Sequence, residues 1–167
     1  MRKALAAIVP VALIGSSLSA HEPAASSAEE RYEQIKGWEG RWNVEEVDAL
    51  QIVFEQTARG HTMVERWETA SGLHSMTVYH VDGDAIVATH YCPQGNQPSL
   101  VSGSGDLKTI AFEFRDVTGL DKGESHTHSL SFTQNPEGSL HRREVYMESS
   151  GLGDPTTLTL VRSPQAD

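Results

Sequence analysis

The stretch His126-Thr127-His128-Ser129-Leu130-Ser131-Phe132-Thr133 changes character at every residue. Successive side chains of a strand point to opposite faces, so Leu130 and Phe132 share one side. Thr127, Ser129, Ser131 and Thr133 share the other. Alternation of this kind marks a half-buried antiparallel strand, apolar side inward and hydroxyls toward water. The same parity carries His126 and His128 inward.

Period two extends in both directions from this strand. It predicts strands near 40–47, 51–58, 61–69, 74–81, 85–92, 100–105, 108–117, 126–134, 139–148 and 156–163. Turn-forming residues separate them, among them Ser71-Gly72, Asp82-Gly83-Asp84, Asn135-Pro136-Glu137-Gly138 and Gly153-Asp154-Pro155. Ahead of the strands, Glu29–Lys36 reads as two helical turns capped by Ser26 or Ser27, with Glu29 and Glu30 favourably placed in the first turn. The expected fold is all-β: an up-and-down antiparallel barrel of about ten strands with one short N-terminal helix, since closure removes unpaired edges.

Parity also sorts the remaining faces. Ile110, Phe112 and Phe114 lie together, as do Leu158, Leu160 and Arg162. In the strand near 139–148, placing Val145 and Met147 inward brings His141 and Arg143 with them and leaves Leu140, Arg142, Glu144, Tyr146 and Glu148 toward solvent. A three-residue loop Asp82-Gly83-Asp84 would put Met76, Val78, His80, Ile86, Ala88, His90 and Cys92 on one face. His80 and His90 would then lie about 13 Å apart, too far to hold one ion.

The 167-residue chain opens as an export signal. Arg2 and Lys3 precede the apolar run Ala4–Ile14, and Ser16–Ala20 supplies small residues for cleavage after Ala20. The expected organisation is a signal peptide over 1–20, a flexible leader over 21–28 and one barrel domain over 29–167, periplasmic or secreted. Without Arg2 and Lys3, 11 basic side chains face 23 acidic ones. That excess opposes non-specific binding to nucleic acid or to an anionic membrane surface. The opening apolar run is too short to span a bilayer. Cys92 is the single cysteine, so an intrachain disulfide is excluded.

Gly40-Arg41-Trp42 opens the first strand after the short helix, and Arg162 lies on the last strand. A Gly-x-Trp at the first strand with a late arginine resembles the lipocalins and the wider calycin barrels. The resemblance implies that Trp42 seals one barrel end and that Arg162 packs across its ring, a cation–π contact. The middle Thr-Asp-Tyr motif of the lipocalins does not occur. The block Met76-Thr-Val-Tyr-His-Val-Asp-Gly-Asp84, Thr89-His-Tyr-Cys92 and Asn96-Gln97-Pro98 is similar to a different calycin-type group, of exported bacterial proteins with no assigned activity. The resemblance spans most of residues 37–163 and implies a barrel that holds a small ligand.

An interior mixing aromatic walls with a few polar groups suits a ligand cavity. The expected occupant is a partly apolar, anionic small molecule lying against Trp67, Ile110, Phe112, Phe114 and Phe132. Its anionic end would meet Arg143, whose guanidinium can grip a carboxylate through two parallel bonds, together with His128 and His126. His90 and Asn96 would stand nearer the mouth, where Pro93–Ser99 reads as a lid. The alternative is a metal or haem protein. His126 and His128 lie on one strand face and could converge on a metal at ~2.0–2.1 Å with His141, His90 or Cys92 as a third ligand. A haem would take His126, His128 or His90 as its axial ligand. A third reading is an interaction module whose interior is simply filled. No catalytic motif occurs, so no residue is assigned a catalytic role.

Overall fold

The computed structural model describes residues 25–164, so the expected signal peptide and residues 21–24 of the leader lie outside the described residues. Helix α1 (Ala28–Lys36) is followed by strands β1 (Gly40–Val44), β2 (Leu50–Thr57), β3 (Thr62–Thr69), β4 (Gly72–Asp82), β5 (Ala85–Tyr91) and β6 (Gln97–Ser102). The chain continues through β7 (Thr109–Thr118), β8 (His126–Gln134), β9 (Leu140–Glu148), the two-residue β10 (Gly151–Leu152) and β11 (Thr156–Arg162). Each strand from β1 to β9 pairs antiparallel with the next; β9 then pairs with β11, and β11 returns to β1. The result is a closed ten-strand barrel, as the alternation predicts. β10 lies end to end with β11 along the same edge of β9.

The up-and-down path puts the connections at two ends. One end, the floor, carries the α1–β1, β2–β3, β4–β5, β6–β7 and β8–β9 connections. Helix α1 sits there: Ser26 pairs with Gly105 of the β6–β7 connection, and the Arg31 guanidinium reaches the Asp84 carbonyl in the β4–β5 turn. The last leader residues therefore belong to the fold. Ser27 caps α1, its Oγ accepting from the Glu30 N–H at 3.1 Å while the Glu30 carboxylate accepts from the Ser27 N–H at 2.9 Å. This reciprocal capping box satisfies two amides that would otherwise have no helical partner.

The floor is sealed by aromatic side chains. Trp38 packs against Phe54 and Phe132 with ring centroids 5.7 and 4.7 Å apart, and Ile35, Met63, Ile86, Leu140 and Leu160 close around them. Each such aromatic pair contributes about 0.5–1.5 kcal/mol beyond its area burial. Arg162 lies 4.4 Å over the Trp42 ring and donates to the carbonyls of Glu39 and Gly37 at 2.8 and 2.6 Å. Gly40 is required at this corner. Its φ is +124°, and a Cβ there would stand 3.2 Å from Arg162 Nη1.

Three face assignments differ from the alternation. In β9 the order is reversed: Leu140, Arg142 and Glu144 are buried, whereas His141 and Arg143 are exposed on the outer surface. Apolar content does not separate the two faces of β9, and counting charge against burial picks the wrong one. Arg142 is buried because two carboxylates and an indole accompany it inside. In the β4–β5 hairpin, Asp82 pairs directly with Ala85 across a two-residue turn, with Gly83 at φ +61°. That one-residue slip puts Thr77, Tyr79 and Val81 opposite His90, Ala88 and Ile86, and turns His80 outward. In β8, Thr127 pairs with Tyr146 and Ser129 with Val145, leaving His128 as an extra bulged residue. Thr127, expected to face water, is buried.

Candidate functional site

Above the aromatic floor the barrel interior becomes polar. Glu65 on β3, Tyr79 on β4 and Arg142 and Glu144 on β9 are all buried and all joined. Arg142 Nε donates to Glu65 Oε1 at 2.8 Å and its Nη1 donates to Glu144 Oε2 at 2.7 Å. Glu65 also accepts from the Trp67 indole N–H at 2.7 Å and from the Tyr79 hydroxyl. Glu144 accepts from the Thr127 hydroxyl at 2.9 Å. The guanidinium carbon of Arg142 stands 4.5 Å over the Trp67 ring. A guanidinium inside a barrel demands this company, because an uncompensated buried charge costs several kcal/mol.

The charges hold one another in place. Burial works against the Arg142 cation, but Glu144 and Glu65 more than offset it and its pKa lies above the usual range. Burial also works against the Glu144 carboxylate, and the charge and hydrogen bond of Arg142 overcome it, so Glu144 titrates below its ordinary value. Tyr79 is driven well upward by burial and by the Glu65 charge, and Tyr146 upward by burial and by Glu144. Both phenols therefore stay protonated.

Between this shelf and solvent lies a cleft of about 400 Å³. It opens at the mouth, the end opposite α1, and is lined by His74, Ser75, His90, Cys92, Gln94 and Tyr146, with Pro93 and Ser125 at its edge. Its size falls within the usual range for small-molecule sites. His90 is 5% exposed, and its Nδ1 is 2.9 Å from the Thr77 hydroxyl. Its Nε2 has no hydrogen-bond partner among the described residues, on a ring that lines the cleft. Burial lowers the His90 pKa against the opposing pull of Glu144, which favours neutral imidazole. A neutral ring presents one donor or acceptor to a guest without carrying charge.

The residues expected to form the site are only partly brought together. His90 reaches the cleft, and Trp67 faces inward on the polar shelf. Phe112 and Phe132 are buried in the core around Tyr79, with centroids 5.5 and 6.3 Å from its ring. Phe114 is instead flanked by His126 and His128, at 4.7 and 5.7 Å. Asn96 is fully buried, but its amide nitrogen is used on Glu124 and the Ser125 carbonyl, both at 3.1 Å, tying the β5–β6 connection to the β7–β8 connection. The expected lid is shorter than Pro93–Ser99, since Gln97, Pro98 and Ser99 belong to β6. Arg143 is exposed on the outer face and does not approach the cleft residues.

The expected metal set does not converge. His141 pairs with Thr133 and Thr159, while His126 pairs with Met147, six residues further along β9 and about 20 Å away. Among the described residues no three His, Cys, Asp or Glu side chains are grouped as ligands. A haem would need an apolar slot facing its axial histidine, but His90 faces serines, Gln94 and Tyr146. Alternation missed Glu65, Arg142, Glu144 and Tyr146. The usable signal was a pair of acidic side chains, Glu65 and Glu144, each on a strand parity shared with apolar neighbours Met63 and Leu140.

Among the described residues no helix is long and apolar enough to cross a membrane. No protein-family model matches this sequence, and no curated protein matches it.

Proposed function

We propose that the mature chain is an exported small-molecule-binding barrel whose guest enters at the mouth and rests on the polar shelf. The observation that carries this reading is the unpartnered Nε2 of His90, on a ring that is almost wholly buried yet lines an open cleft. That nitrogen is not one of the sealed, unsatisfied atoms of the described residues, so it stands open to the cleft, where a guest can hydrogen-bond it while Thr77 fixes the ring from behind. His90 and Tyr146 would contact the guest, with Thr77 holding the imidazole and Glu144 lying beside the phenol. Trp67 would offer its indole edge to any apolar part that reaches the shelf.

The anionic guest expected from the sequence relied on a free inward cation. Arg143 is outside, and Arg142 is already gripped by two carboxylates. The proposed site is therefore defined by His90 and Tyr146 in place of an arginine anchor.

Native mass spectrometry of residues 21–167 isolated from the periplasm, compared with the denatured sample, tests the reading. A mass excess that disappears on denaturation, and is lost in His90→Ala, is the expected result. A bare polypeptide mass, with no guest recovered by soaking in small-molecule mixtures, would instead favour a filled interaction module.

A further inference from the structure

The geometry points to a guest that carries a positive charge on a partly apolar body. This rests on the ligand-binding reading above and names the class of molecule that the cleft would take.

Three features of the mouth lead there. The shelf behind the cleft holds two carboxyl groups, Glu65 and Glu144, against the single guanidinium of Arg142. The formal count leaves one uncompensated negative charge in a low-dielectric interior. A cation arriving at the cleft would complete that balance, and an anion would add to the excess. Among the described residues the cleft lining holds no arginine or lysine and no aspartate or glutamate, so its charge bias comes from Glu144, which stands behind Tyr146.

The connections around the mouth repeat the bias. They carry Glu45, Glu46, Asp48, Asp121, Glu124 and Asp154, with Lys122 as their one basic side chain. The floor connections are closer to balance, with Glu39, Asp84, Asp106 and Glu137 against Arg59 and Lys108. Connections with a net acidic charge give that end of the barrel a field that draws cations toward the mouth.

The apolar part of the guest has a surface to meet. Of the seven exposed large apolar side chains among the described residues, Val47, Leu73, Tyr91, Leu120 and Leu152 stand at the mouth end. Exposed apolar groups gathered at one end, next to a cleft backed by Glu144, complement an amphiphilic cation. A second copy of this chain would bring the same acidic rim against itself, and an anionic bilayer would be repelled.

The test uses three probes of one chain length, octylammonium, octanol and octanoate, titrated calorimetrically into residues 21–167 at low salt. The expected order is ammonium tightest, with at least a tenfold preference over carboxylate that shrinks as salt is raised. Glu144→Gln should reduce the ammonium affinity and spare octanol. Because that variant also disturbs Arg142, the surface pair Asp48→Lys and Asp154→Lys provides an independent check, lowering ammonium affinity without touching the core. Octanoate binding as tightly as octylammonium would overturn the charge assignment and leave the ligand-binding reading standing. Failure of all three probes would overturn both.

Discussion

Arg142 on β9 spans the barrel interior to Glu65 on β3, its Nε 2.8 Å from Oε1, with both side chains essentially sealed from solvent. The two residues are 77 positions apart in sequence, so this bond forms only when the barrel closes. It sets the chemistry of the interior, because every other polar group on the shelf is arranged around the guanidinium it holds.

Removing the cation should be costly. Arg142→Leu leaves Glu65 and Glu144 buried without their partner, and a loss of about 3–5 kcal/mol is expected from breaking such a pair on one side. The triple variant Glu65→Leu, Arg142→Met, Glu144→Leu should recover much of that loss, since apolar side chains of similar volume often replace buried ions at little cost. Urea denaturation of the two variants checks this. A triple variant no more stable than the single one would show that the shelf is held by more than charge balance.

Arg143 provides the contrasting case. It is exposed on the outer face, so Arg143→Ala should alter stability by no more than about 0.5 kcal/mol. It should also leave octylammonium and octanol binding unchanged. A large effect on either would return Arg143 to the site.

The titrating groups define a stability plateau. His90 has a lowered pKa in the fold, so its contribution is complete above its ordinary value of 6.5 and is lost as pH falls through the lower folded value. Glu144 is also lowered, so a second loss begins below its ordinary value of 4.5. Tyr79 and Tyr146 are raised, so their contributions are complete below 10.0 and decline as pH rises beyond it. Urea midpoints measured across pH should therefore be flat between 6.5 and 10.0 and fall on both sides. In His90→Gln the decline that begins near 6.5 should disappear while the one below 4.5 remains.

At the floor, Arg162→Ala should destabilise by about 2 kcal/mol, from the lost cation–π contact and two lost hydrogen bonds to carbonyls. Gly40→Ala should cost about 1–3 kcal/mol, because its backbone lies in a region that side chains rarely adopt. Thermal melting measures both, and the Trp42 near-ultraviolet dichroism should change in the first variant. Equal stability of Gly40→Ala and the parent would mean that the corner can relax without strain.

Much of the architecture is legible in the local pattern. The alternation over Ser129–Thr133, the spacing of the turns and a serine cap at Ser26 or Ser27 each depend on residues within a few positions, and they reappear in β8, the barrel order and the Ser27 cap of α1. The Trp42–Arg162 contact, which the resemblance to calycin barrels implies, is present as well, with Arg162 directly opposite Trp42 in the β1–β11 pairing.

The candidate site was legible only in part. His90 can be placed inward from the hairpin, but for a different register than the one observed. The observed two-residue turn pairs Tyr79 with Ala88, and that single residue of slip parts His80, now outward, from His90, which stays inward. The bulge at His128 has the same character, since it accompanies a bond from the inward Thr127 to Glu144 on the neighbouring strand.

By itself, then, the sequence determined the all-β class, the up-and-down order of about ten strands and the short capped helix. These rest on periodicity and short-range hydrogen bonding, which act before the chain has closed. Tertiary structure alone decided that Arg142 faces inward and Arg143 outward. A guanidinium enters a barrel only where carboxylates from distant strands neutralise it, and the meeting of Glu65 with Arg142 and Glu144 is a property of the closed ring.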